Sequence, residues 1–154
     1  MLRIAVAILM SLLAGAALAA DWQYEGGSVP IAYADNGRAQ FQFACRGGDL
    51  AMGYWVRAPH RQVAGAASMN LALTPDGGGT SFAQDMPLIH ADGASMIVRG
   101  PVARQWARIA QGAKSAMSVA FAHKDAGGLE FFDRHEFGAS GSAAAIRRVL
   151  ERCG

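Results

Sequence analysis

Charge is scarce in this chain, and nowhere is it clustered. Asp, Glu, Lys and Arg make up 17% of 154 residues, and 14 basic against 12 acidic side chains leave a formal charge of +2. Phosphate recognition needs a concentrated excess of Lys and Arg, so nucleic acid is not an expected partner. A polybasic membrane signal is missing for the same reason. Aromatic residues are also few, at 8%. The sequence contains no HExxH, no CxxC, no complete G-x-S-x-G, and no repeat of 20 to 50 residues. Zincin, thiol-redox, α/β-hydrolase and solenoid readings therefore lack their signatures, and neither metal nor cofactor is expected.

One apolar run is present, at the start. Met1, Leu2 and Arg3 precede Ile4 to Leu13, and Ala14 to Ala20 follow with only Gly15 and Leu18 breaking the alanines. A positive head, an apolar stretch and an A-x-A ending at Ala17 and Ala19 are the parts of a secretory leader, with cleavage expected after Ala19. Residues 20–154 are then a single exported domain, periplasmic or secreted, with no stable membrane insertion after cleavage. Cleavage removes Arg3 alone, leaving 13 basic residues against 12 acidic.

The cysteines number two, Cys45 and Cys153. In an oxidising compartment they have one pairing available. Closing a loop of roughly 100 residues contributes on the order of 4 kcal/mol by the chain-entropy relation. Period-two alternation places Phe41, Phe43 and Cys45 on one face of a strand, and Arg46-Gly47-Gly48-Asp49 turns the chain into Leu50, Met52, Tyr54 and Val56. Further strands are predicted at Met69 to Thr74, Thr80 to Gln84, Ala94 to Arg99, Met117 to Phe121 and Leu129 toward Phe137. Pro101 opens a helix carrying Val102, Trp106, Ile109 and Ala113 at helical spacing. A closing helix aligns Ile146, Val149, Leu150 and Cys153, with Ser140 or Ser142 as its cap. The expected fold is α+β: a β-dominated antiparallel sheet or sandwich of hairpins, two short helices, and a Cys45–Cys153 bridge from an early strand to the C-terminal helix.

The ending built from Phe137, Gly141, Ser142, Ala145, Ile146, Leu150 and Cys153 resembles that of a diffuse group of small exported bacterial proteins. Trp22 near the mature start and the strand Phe41-Gln42-Phe43-Ala44-Cys45 fit the same group. Some of its members are accessory proteins of type VI secretion, which implies a role in an envelope assembly. A fainter similarity is to invasion-associated locus B proteins, also small, exported and β-rich. The Gly- and Ala-rich segment from Val63 to Gly79 departs from both, and neither resemblance carries a catalytic motif.

Chemistry-bearing residues are scattered. His60, His90, His123 and His135 lack the spacing of a metal pair, and the serines near Ser81 and Ser140 sit in incomplete nucleophile motifs. The candidate partner surface is Trp55, Arg57, His60 and Arg61, around Pro59, since aromatics and arginines are enriched at protein contacts. The opposing reading is that Trp55 packs under a loop and the arginines keep it solvated. The expected function is that of a binding or accessory protein acting on an unidentified envelope or secreted protein. A small envelope hydrolase is the rival, and an inhibitor of a wall-degrading enzyme, with Arg57 to Gly65 as its protruding loop, is the third possibility.

Overall fold

The structure, a computed structural model, describes residues 21–153. The expected leader lies outside the described residues. Nine strands form two antiparallel sheets. Sheet A contains β1 (Gln23–Glu25), β2 (Ile31–Asp35), β3 (Ala39–Arg46), β4 (Asp49–Val56) and β7 (Ala94–Arg99), in the order β1-β2-β3-β4-β7. Sheet B contains β5 (Ser68–Pro75), β6 (Ser81–Pro87), β8 (Ala116–Asp125) and β9 (Gly128–Gly138), in the order β6-β5-β8-β9. Three helices complete the fold: α1 (Arg61–Ala64), α2 (Gly100–Gly112) and α3 (Ser142–Glu151).

The α+β architecture and the bridge agree with the sequence reading. The hairpin β3–β4 has Arg46 opposite Asp49 across Gly47 and Gly48. Phe41, Phe43 and Cys45 are buried on one face of β3, as are Leu50, Met52, Tyr54 and Val56 on β4. Cys45 and Cys153 are bonded, with their Cα atoms 5.5 Å apart. Strands β1 and β2 and the four-residue helix α1 are additions. In β2 the inward residues are Ala32 and Ala34, whose small side chains give weak hydrophobic contrast along the sequence.

Both long helices correct the reading in detail. The buried face of α2 is Ala103, Trp106, Ala107 and Ala110, while Val102 is exposed and Ile109 only partly buried. Alanines make up most of the helix face that meets β4 and β7, and the bulkier Val102 lies on the exposed side. At α3 the N-cap is Gly141, not Ser140 or Ser142, with φ at 77°. A Cβ there would lie 3.3 Å from the carbonyl oxygen of Trp22, so a residue without a side chain suits both the backbone and the space. Ser142 instead turns inward and donates its hydroxyl to the Ala110 carbonyl at 3.0 Å, tying α3 to α2.

The sheets meet across aromatic rings. Tyr54 of sheet A lies 5.1 Å from Phe121 of sheet B, and Phe41 lies 5.9 Å from Phe137. Trp22 extends this cluster, packing on Phe41 and Phe43 while its indole N–H donates to Gly138 at 3.0 Å. Its backbone N–H reaches Ser140 as well. The residues of the family-like ending thus form one seam, where the beginning of the domain, the approach to α3 and the disulfide converge.

Candidate functional site

Trp55 of β4 and Arg57, one residue past its end, stand side by side on the outward side of sheet A, because alternate residues of an extended chain share a face. The Arg57 guanidinium lies 4.6 Å from the centre of the Trp55 ring. It also makes a paired hydrogen bond to Asp35, at 2.6 and 3.2 Å. That hydrogen-bonded guanidinium holds the Asp35 carboxyl below its ordinary value. The Trp55 indole N–H donates to the Asp92 carbonyl at 3.0 Å, beside Gly93. Gly93 has φ at 121°, and a Cβ there would fall 2.2 Å from the Val56 carbonyl oxygen.

His60 and Arg61 follow the chain around the corner toward sheet B. The His60 backbone N–H donates to the Asp133 carboxylate at 2.8 Å, and the His60 ring stacks on Phe132 at 5.1 Å. Nδ1 of His60 accepts from Gln62 and so caps α1. Arg61 is exposed on that helix. Val63 of α1 is fully buried, so the segment from Arg57 to Gly65, expected to protrude in an inhibitor, is docked at both ends. The four residues therefore fall into a pair on sheet A and a pair at the junction with sheet B.

A cleft of about 370 Å³ opens at this junction, lined by Arg38, Arg57, Asp133 and His135 among others. Asp133 holds a left-handed φ of 49° where β9 bulges opposite Ala120. Its carbonyl accepts the Tyr54 hydroxyl at 2.6 Å. Burial raises the pKa of that phenol. Burial lowers the pKa of His135, with Asp133 opposing and Arg38 reinforcing the shift. The cleft lining contains no Ser, Thr or Cys, so it supplies no nucleophile of the usual hydroxyl or thiol kind. Among the described residues, no group of three His, Cys, Asp or Glu side chains is placed to hold a metal ion.

A cluster of exposed apolar side chains lies elsewhere, on the outward face of sheet B. Phe82 of β6 and Phe131 of β9 lean toward each other from opposite edges, with ring centres 6.4 Å apart. Beneath them Ala72, Ala120 and Ala122 form a floor whose side chains are too short to emerge. Each phenylalanine remains 37% exposed, and Leu129 is 43% exposed. The Arg134 guanidinium covers Phe131 at 4.5 Å. Every residue from His123 to Phe131 is exposed, so the far half of the β8–β9 hairpin forms an arm. The sequence pattern marks both strands of this hairpin without assigning their outward side chains. Alternation separates inward from outward faces without telling which outward face the fold leaves bare.

No known protein-family model matches the chain, and no curated protein sequence matches it. Among solved structures, the chain is similar to the crystal structure of invasion associated protein b from Bartonella henselae. The TM-score is 0.57 at 12% identity, covering 86% of this chain and 94% of that chain. At that identity the likeness concerns the fold, and it agrees with the fainter of the two sequence resemblances. Among the described residues, no helix is long and apolar enough to cross a membrane.

Proposed function

We propose that this chain is a periplasmic or secreted accessory protein that binds another envelope or secreted protein, and that the β8–β9 arm makes the contact. The observation that carries this reading is the Phe82–Phe131–Leu129 face. Contiguous exposed aromatic and aliphatic side chains, edged by Arg134 and Lys124, have the composition of a partner-binding surface. The Cys45–Cys153 bridge supports a location outside the reducing cytoplasm, as does the leader-like N-terminus. An envelope or secretion assembly is a setting consistent with both.

The test is site-specific photo-crosslinking in the exporting cell. A photoreactive residue at Phe131 should yield a discrete protein adduct, and Leu129→Asp should abolish it. The same residue at Arg61 probes the alternative surface around Trp55, Arg57, His60 and Arg61. An adduct from position 61 with none from position 131 would move the contact to that surface. No adduct at either would refute a stable protein partner.

A further inference from the structure

The outward face of sheet A bears a second feature, separate from the proposed protein contact. Gly53 sits in register between Gln42 of β3 and Ile97 of β7, while Trp55 sits between Gln40 and Ser95. Residues 53, 55 and 57 share this face, so Arg57 lies to one side of the indole and the side-chain gap of Gly53 to the other. The result is a groove of about 250 Å³, lined chiefly by Gln40, Gln42, Gly53, Trp55, Ser95 and Ile97. That is somewhat smaller than the ~300–1,000 Å³ of pockets for drug-sized ligands, and suits a single ring.

Three properties of the groove specify its ligand. Its lining contains no charged side chain, so phosphate, carboxylate or ammonium would enter without a counter-charge. It has an aromatic wall held in place, by Arg57 on one face and by the Asp92 carbonyl on the indole N–H. It also presents polar groups with bonding capacity to spare. The Gln40 amide donates to Gln42 Oε1 at 2.9 Å, which orients both amides. Among the described residues, Gln42 Nε2, Gln40 Oε1 and the Ser95 hydroxyl have no side-chain hydrogen-bond partner.

We infer that this groove binds a neutral pyranose ring. The C–H face of such a ring carries the partial positive charge that the negative face of an indole attracts. Its hydroxyl or acetamido groups meet the two amides and the serine. Gly53 gives the Gln42 side chain room to lie along the groove, since a Cβ there would come within 3.2 Å of it.

Saturation-transfer NMR on the exported protein tests the assignment, with chitotriose, cellotriose and sialyllactose as probes. One or both neutral oligosaccharides should receive saturation from the protein, and chitotriose alone would point to an acetamido-sugar polymer as the source. Gly53→Val, which faces solvent and keeps the strand, should weaken binding about tenfold or more. Ser95→Ala should weaken it less and leaves the sheet unaltered. The inference fails if neither neutral probe is saturated, if Gly53→Val binds as the parent does, or if only the anionic probe binds.

Discussion

The seam and the arm use similar residues to opposite ends. At the seam, Trp22, Phe41, Phe43 and Phe137 are buried against one another, the indole N–H is bonded, and Cys45 is fixed covalently to Cys153. On the arm side, Phe82, Phe131 and Leu129 keep more than a third of their surface in water. Aromatic packing stabilises the first region, whereas in the second the rings only roof a floor of alanines. Stability therefore belongs mainly to the seam, and the proposed partner contact to the arm.

The sharpest way to break this contrast is to cut the bridge. Cys45→Ser with Cys153→Ser should cost on the order of 4 kcal/mol by the chain-entropy relation, seen as a lower urea midpoint. An unchanged midpoint would show that the seam does not depend on the cross-link. Trp22→Ala comes next, at about 3 kcal/mol or more, because it removes a core ring and leaves the Gly138 carbonyl without its donor. Thermal unfolding of that variant would read the loss.

For the arm, Leu129→Asp with Phe131→Asp should change stability by about 1 kcal/mol or less while abolishing partner crosslinking. A variant that unfolds instead would place the arm with the seam, as a structural element. The smallest effect is expected at the start of β8, where the Asp76 carboxylate accepts the backbone N–H groups of Lys114, Ser115 and Ala116 at 2.7 to 3.2 Å. Those bonds, led by Lys114, lower its pKa from the ordinary 3.8. Its contribution is fully present above that unfolded value and is lost as pH falls through the lower folded one. Urea midpoints measured across that acid range should fall less steeply in Asp76→Asn than in the parent.

Much of the framework was legible along the chain, for identifiable reasons. Phe41 to Val56 alternates large with small or polar residues around two glycines, which specifies a hairpin. Ile146, Val149 and Cys153 recur at helical spacing, and all are buried. The hydrophobic pattern is faint where alanine does the packing. Ala32 and Ala34 hide β2, and Ala103, Ala107 and Ala110 turn the face of α2 away from Val102. Ser142 looked like a cap because hydroxyls commonly accept there, yet the neighbouring α2 offered its Ala110 carbonyl.

The partner-surface residues divide in the same manner. Composition singled out Trp55, Arg57, His60 and Arg61, but Asp35 and Asp133, the acids that engage Arg57 and His60, lie 22 and 73 positions away. Phe82 and Phe131 are 49 positions apart in sequence and meet because β5 and β8 lie between their strands.

By itself the sequence determined the period of its main strands, the faces they turn inward and the bridge open to its only two cysteines, since each follows from local geometry and covalent chemistry. The tertiary structure alone decided which outward faces stay bare, which acids reach the arginine and the histidine, and where a groove forms beside Trp55. Those features arise between strands brought together from distant positions, and no local pattern encodes that pairing.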